Sequence, residues 1–224
     1  MSPIAFAKPA FDVGFATNML AEHEEFWGSK VGLAFDYMAK LGGGFRQHRW
    51  RRGDSIIKVN HTREPLAEVP PGGYRALGLK VAKAGEITTP DGVTVYLQPD
   101  ASADLTLHVV ARDLDAFDRF YGETLGLAPD GPHGFRLGRS RIVATAGDPP
   151  RIEGWREKGL RYMTVQIFNC DQVTTAMERA RVEIGMPPRT IGQVRYSFAR
   201  DPDGNWIELS ERASLTGKPI AADR

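Results

Sequence analysis

The chain has a single cysteine among its 224 residues, Cys170, which excludes an intrachain disulfide and any cysteine-built zinc cluster. It has almost no excess charge. With 29 Lys and Arg against 28 Asp and Glu, it offers no electrostatic case for nucleic acid or an anionic membrane as partner. No apolar run approaches the roughly 20 residues that a spanning helix needs, and the opening MSPIAFAKPAF is too short and too interrupted for a secretion signal. A cytoplasmic protein is the expectation. Cys170 reads as a small buried residue rather than a nucleophile. What the chain does have, 42% hydrophobic and 25% charged residues, suits one large domain or two small ones with an ample core.

It also has internal repeats. EFWGSKVGLAF (residues 25–35) is echoed by RFYGETLGLAP (residues 119–129); aligning Phe26 with Phe120 matches Gly28 with Gly122 and Gly32 with Gly126. A strand-like run precedes each, FDVGFAT in the first copy and LTLHVVA in the second. Between strand and motif in the second copy, Asp113 is placed as an N-cap, with Leu114, Phe117 and Leu125 following at helical spacing. TPDGVTVYL (residues 89–97) pairs with DPDGNWIEL (residues 201–209), and GYRALGLKV (residues 73–81) with GLRYMTVQI (residues 159–167). CDQVTTAMERARVEIG is a helical stretch with Val173, Met177 and Ala180 on one side. PLAEVPPGG and GDPPRIEGW read as connectors. The implied fold is α+β: repeated βαβββ units, the second abbreviated, with cupped mixed sheets and helices outside. Units next to each other in sequence are expected to pair, as 1–100 and 101–224.

The closing segment RDPDGNWIELSER carries the sharpest clue. Pro202 and Asp203-Gly204 make a turn. In the strand that follows, alternation puts Trp206, Glu208 and Ser210 on one face and Ile207 and Leu209 on the other. FYGETLGL after a strand and FARDPDGNWIEL at the close resemble the vicinal oxygen chelate superfamily, which includes glyoxalase I, bleomycin-resistance proteins and extradiol dioxygenases. That resemblance covers nearly the whole chain. It implies paired βαβββ units curled around a ligand cavity. In metal-using members, inward residues of the first and last strands of the units hold a divalent ion.

Glu208 matches the family's last-strand carboxylate. The first-strand histidine position of the third unit falls at Thr106, with His108 two residues on, and that of the fourth unit at Tyr162. The first unit offers Asp12 and Lys58 at the corresponding places, the shortened unit Ala76 and Tyr96. The expected cup therefore joins Glu208, His108 and Tyr162 as catalytic candidates with Thr106, Gln166, Trp206 and Tyr96 as substrate contacts, and Thr164 beside them. Glu208 and His108 are the candidate ligands of one divalent metal ion (iron, manganese, zinc or similar). The N-terminal half is expected to be structural or accessory. His48, Asn60 and His61 line the first unit without a fixed register, His23 is expected to be solvated, and His133 to lie on a turn. Arg46 and Arg195 are candidates for holding an anionic group, because guanidinium grips carboxylates bidentately.

Three functions stay open. An isomerase or lyase would use Glu208 as base on a carbon beside a carbonyl, with a pKa raised by an apolar cup. An extradiol-type oxygenase would need three facial ligands. A ligand-sequestering protein would need only the cup. In each case the partner is a small molecule with a carbonyl or vicinal oxygens, and the protein is a monomer or homodimer.

Overall fold

The computed structural model describes residues 4–220. The repeat in the sequence is a repeat in the backbone. Unit one comprises β1 (Phe6–Thr17), α1 (Leu20–Glu24) running on into a π-helical turn (Glu25–Lys30), β2 (Ala34–Gly42), β3 (Phe45–Arg52) and β4 (Ser55–His61). Unit two is abbreviated to β5 (Tyr74–Leu79), β6 (Gly85–Thr88) and β7 (Thr94–Leu97). Unit three restores the pattern with β8 (Leu105–Ala111), α2 (Leu114–Asp118), a second π-helical turn (Arg119–Thr124), β9 (Ala128–Pro129), β10 (Gly134–Leu137) and β11 (Ser140–Ala146). Unit four has β12 (Gly159–Ile167), α3 (Cys170–Arg179), β13 (Ile184–Ile191), β14 (Val194–Arg200) and β15 (Trp206–Arg212), followed by α4 (Ala213–Thr216). Asp113 caps α2 as expected, accepting from the Ala116 amide at 2.9 Å. The two repeated glycines, Gly32 and Gly126, both lie at φ +80°, a conformation open to glycine at little cost. The helical stretch of unit four stops earlier than its apolar spacing predicts: Arg181 turns to φ 61° and the chain enters strand at Ile184.

The units do not pair by sequence order. An eight-stranded sheet runs β13-β14-β15-β12-β1-β4-β3-β2, joining unit four to unit one, and a seven-stranded sheet runs β6-β7-β5-β8-β11-β10-β9, joining two to three. The expected boundary near residue 100 is thus crossed by the pairing of β1 with β12. Side-chain size at the seams gives a physical reason. Gly14 faces Tyr162 across β1 and β12, and a Cβ on Gly14 would stand 2.1 Å from that ring. The repeat alignment puts His108 at the place of Gly14 and Ala76 at the place of Tyr162, and these two face each other across β5 and β8. Each seam therefore joins a small residue to a large one. The sequential pairing would set His108 against Tyr162 and Gly14 against Ala76, one seam overfilled and the other hollow. G14A is expected to cost about 1–3 kcal/mol by forcing the Tyr162 ring aside, measured as a shift of the urea unfolding midpoint at unchanged slope.

One apolar cluster ties the sheets together, with Phe11, Val13 and Phe15 of β1, Leu77 and Leu79 of β5, Leu105 and Leu107 of β8, and Ile207 and Leu209 of β15. Phe26, Trp27, Phe117, Phe120 and Tyr121, from the helical segments, complete it. Ile207 and Leu209 thus pack into this cluster on the face away from Glu208, as strand alternation requires, and Cys170 and Met177 of α3 belong to it too. Burial pushes the Cys170 thiol up to about 11, which suits a packing role.

The two PDG turns fasten one sheet to the helix entry of the other. Asp203 accepts from the Arg112 amide at 3.2 Å, next to the cap of α2. Its counterpart Asp91 accepts from Thr17 Oγ1 at 3.1 Å and meets His23 Nε2 at 2.7 Å. His23 is therefore fully buried rather than solvated. The Trp27 indole N–H can only donate, and it reaches His23 Nδ1 at 3.1 Å, so the proton of that ring sits on Nε2 and is given to Asp91. The acidic run around His23 concealed this, because a one-turn helix buries whichever residue faces the neighbouring turn.

Asp201 opens the second PDG turn. It accepts from Tyr121 OH at 3.0 Å and from Asn205 Nδ2 at 2.8 Å, yet burial outweighs these bonds and raises its carboxyl from 3.8 to about 6. The folded chain holds this proton more tightly than the unfolded chain. Its contribution to stability is complete below pH 3.8 and is lost as pH climbs through about 6. The difference amounts to about 3 kcal/mol at roughly 1.4 kcal/mol per pKa unit. Urea unfolding of D201N between these pH values is expected to show a flatter pH profile than the unmodified chain.

Candidate functional site

The polar face of the larger sheet gathers charge onto its central strands. Asp12 on β1 faces Thr164 on β12, which faces Glu208 on β15. One residue-pair along, Lys58 on β4 faces Gly14, which faces Tyr162 and then Trp206. Lys58 reaches across β1 to the strands beyond it. Its Nζ donates to Glu208 Oε2 at 2.7 Å and to Thr164 Oγ1 at 2.7 Å, and lies 4.0 Å from Asp12 Oδ2. Thr164 Oγ1 donates in turn to Glu208 Oε2 at 2.6 Å. Asp12 is held from its other side by Lys8 Nζ at 2.5 Å and by the Ile56 amide at 2.8 Å.

The electrostatics follow from burial and pairing. Glu208 resists burial, but the Lys58 charge and the hydrogen bonds from Lys58 and Thr164 hold its carboxyl below 4.5. The apolar-cup expectation of a raised value is reversed because this carboxylate has a cation at contact distance. Lys58 moves down to about 8, since its complete burial outweighs the attraction of Glu208 and Asp12. The two shifts disagree on whether the pair favours charge. The contact distances and the bridging hydroxyl favour an ion pair, and with values below 4.5 and about 8 both groups are charged at neutral pH.

Above this floor is a cavity of about 230 Å³ lined by Glu208, Tyr162 and Gln47 below and by Trp155, Tyr196 and Phe198 as walls. Trp155 stacks on Phe198 with centroids 4.8 Å apart, and Tyr162 meets Phe198 edge-on at 5.5 Å. Lys40, Arg156 and Arg212 also line it, so cations outnumber the single carboxylate. Asn60 Nδ2 donates to Tyr162 OH at 2.9 Å, and Gln47 Nε2 donates to Asn60 Oδ1 at 3.0 Å. Among the described residues no hydrogen bond is made by the Tyr162 hydroxyl proton or to Glu208 Oε1, while Gln166 Oε1 and Ser210 Oγ are buried without a partner. A larger hollow of about 1010 Å³ lies beside α3 and Phe168, but neither the carboxylates nor the lysine of the floor borders it. The chemistry singles out the smaller one.

The candidates named from sequence divide between two faces. Glu208, Tyr162, Thr164 and Gln166 come together. Thr106, His108 and Tyr96 lie on the other sheet, where Tyr96 meets His108 edge-on at 5.4 Å. Burial, and then Arg141, push His108 down. The proposed metal pair of Glu208 and His108 is therefore not formed, because unit four closes against unit one and not against unit three. Trp206 lies behind Phe198 and under Arg200 at 4.2 Å, away from the cavity lining. Asn60 faces the cup, whereas His48 pairs with Val59 and stacks on Trp50 on the opposite face. His133 sits on a turn as expected, bonded to Asp118 at 2.9 Å, and Arg195 is committed to Asp171. The N-terminal half supplies Asp12, Lys58, Asn60 and Gln47, so the candidate cup is built from both halves of the chain. The repeat alignment already placed Asp12 and Lys58 on inward positions; only the pairing of units hid their meeting with Glu208. Nothing in the connector GDPPRIEGW signalled Trp155 as a wall.

The divalent ion that the resemblance implies does not fit these residues. The inward positions of the first and last strands are Asp12, Lys58, Thr164 and Glu208, and an ammonium stands between the carboxylates. An ammonium offers no lone pair to a metal, and at 4 Å it repels each unit of positive charge by about 4 kcal/mol at an effective dielectric of 20. Among the described residues no group of three or more His, Cys, Asp or Glu is placed to hold an ion. No helix among them is long and apolar enough to cross a membrane.

A family model described as the Glyoxalase/Bleomycin resistance protein/Dioxygenase superfamily matches residues 74–209, more than half of the chain. No curated protein matches. Among solved structures, a mutant of glyoxalase I from Zea mays aligns over 93% of this chain and 95% of its own, with a TM-score of 0.70 and 11% identity. Unmutated glyoxalase I from the same plant gives 0.67 over 89% and 91% at 12% identity. A putative dioxygenase from Bacillus subtilis gives 0.62 over 99% and 93% at 11% identity. These identities speak for the fold and not for the reaction.

Proposed function

Because the chain belongs to the Glyoxalase/Bleomycin resistance protein/Dioxygenase superfamily, we propose that it is a vicinal oxygen chelate enzyme of the isomerase or lyase kind, acting on a small, flat, anionic carbonyl compound. The observation that carries this reading is Glu208 on the cavity floor, with Oε2 taken by Lys58 and Thr164 and Oε1 left to the ligand. The aromatic walls suit a planar body, and Arg212, Arg156 and Lys40 suit its negative group.

In the proposed step Glu208 Oε1 takes a proton from the carbon beside the carbonyl. The C–H electron pair becomes the C=C bond of an enolate as the carbonyl π pair moves to oxygen, within reach of the free Tyr162 O–H, which donates a hydrogen bond to it. Glu208 then returns the proton; in the isomerisation of a 2-hydroxy ketone it goes to the former carbonyl carbon while the substrate's hydroxyl proton passes to the former carbonyl oxygen. A carboxylate held below 4.5 is a weak base, so the step depends on the nearby positive charge of Lys58 to make the enolate accessible.

The ion pair also favours a second reading, a cup that holds its ligand without turning it over, because a carboxylate bound to an ammonium gains little by taking a proton. One experiment separates the two. The protein is incubated in D2O with a panel of aryl- and alkyl-substituted 2-oxo acids and 2-hydroxy ketones, with exchange followed by proton NMR. Deuterium incorporation beside the carbonyl supports the enzyme; saturable binding without exchange supports the holding protein.

A further inference from the structure

We infer that the Lys58 ammonium is the resident cation of this cup: it stands in for a divalent ion, makes the site metal-independent, and by its presence closes a cradle of Asp12, Thr164 and Glu208 that would otherwise accept one. Whether Glu208 abstracts a proton is a separate matter, on which this inference does not depend.

Three observations converge on it. Nζ of Lys58 touches two oxygens at 2.7 Å, one from Thr164 and one from Glu208, with Asp12 Oδ2 at 4.0 Å. Those three oxygens come from the adjacent strands β1, β12 and β15, and the lysine reaches them from β4 on the far side. The charge is also closed. Asp12 and Glu208 are matched by Lys8 and Lys58, so the cluster as it stands has no net negative charge with which to draw a further cation. Finally, Lys58 is fully buried, and its Nζ sits 5.6 Å from the centroid of the Tyr162 ring, which itself covers Gly14. A lysine that merely decorated the floor would turn its charge to water, where it is better solvated. This one is kept among carboxylates.

Removing the lysine leaves two carboxylates and a hydroxyl around an unfilled, negatively charged space. That is a hard-oxygen donor set, to which an imidazole at position 58 would add a nitrogen, suiting manganese or nickel.

The test uses the full chain without a purification tag, stripped with chelator and titrated with Mn2+ and with Ni2+ by calorimetry, reading free manganese by electron paramagnetic resonance. The unmodified chain is expected to bind neither ion stoichiometrically. K58H is expected to bind one equivalent about a hundredfold more tightly than the unmodified chain, since it loses the repelling charge and gains a ligand. Adding E208Q to K58H should abolish the gain. If K58H is unfolded, recovery of its circular dichroism on adding either ion supports the inference, and the smaller change K58Q is read in the same way. One equivalent of metal bound by the unmodified chain and lost in E208Q overturns it. So does a folded K58H or K58Q that binds no better than the unmodified chain, or a pair of unfolded variants that neither ion restores.

Discussion

E208Q is expected to lower the rate of proton exchange by about 10²–10⁴-fold, the span ordinarily carried by a positioned general base, with little change in ligand affinity. Glutamine keeps the shape of the side chain, and its carbonyl oxygen can take the bonds from Lys58 and Thr164 that Oε2 accepts. What it lacks is a second oxygen able to take a proton from carbon. Binding, which rests on the aromatic walls and the cationic rim, is left in place. The same step has a pH signature. Because Lys58 holds the Glu208 carboxyl below 4.5, the base stays ionised well into the acid range, and its acid limb lies below that value. Exchange should therefore be level between about pH 5.5 and 7, where a base with a raised pKa would already be losing activity. An acid limb centred near pH 6 would mean that the ion pair is not present in the working protein.

K58M is expected to destabilise the fold by about 3–5 kcal/mol, as breaking one half of a buried pair usually does. The cost comes less from the lost attraction than from the carboxylate left behind. Asp12 keeps Lys8 and the Ile56 amide, but Glu208 keeps only the Thr164 hydroxyl. K58M/E208Q should accordingly be more stable than K58M alone. Urea unfolding of the single and double variants closes a double-mutant cycle whose interaction energy isolates the pair. The sign with pH is also fixed. The stability that Glu208 draws from its lowered pKa is present above 4.5 and is lost as pH falls through its folded value, so the K58M deficit should shrink in acid. Additive singles would place Lys58 and Glu208 apart, as they would be if units one and four did not share a sheet.

Most of the architecture was legible because it rests on local physics. Asp113 caps α2, Gly32 and Gly126 take the same positive φ, and Ile207 and Leu209 pack into the apolar cluster while Glu208 faces the cup. Each follows from a residue and its immediate neighbours. The second unit was legible as a shortened copy, Tyr74 to Leu97. The partner of each unit was not, since similar units offer similar edges and periodicity carries no information about which edges meet. The signal that could have settled it was size across the seam, Gly14 against Tyr162 and Ala76 against His108. With that pairing in hand, Lys58 and Asp12, already read as inward, would have been set beside Glu208, and His108 moved to the other sheet. The raised carboxylate pKa went the same way: it assumed an apolar cup, and the cup has a lysine.

If units one and four build the working cup around Glu208, ligand binding must register on their strands and on the Trp155–Arg156 connector, and not on the other sheet. Backbone amide NMR of the labelled chain, titrated with whichever carbonyl compound binds from the exchange panel, reads this strand by strand. The expected result is a set of saturating shifts on β2, β3, β12, β14 and β15 and at Trp155 and Arg156, with those of β8 around His108 unmoved. Shifts confined to β8 and its neighbours β5 and β11 would contradict it and return the site to the face that His108 and Tyr96 share.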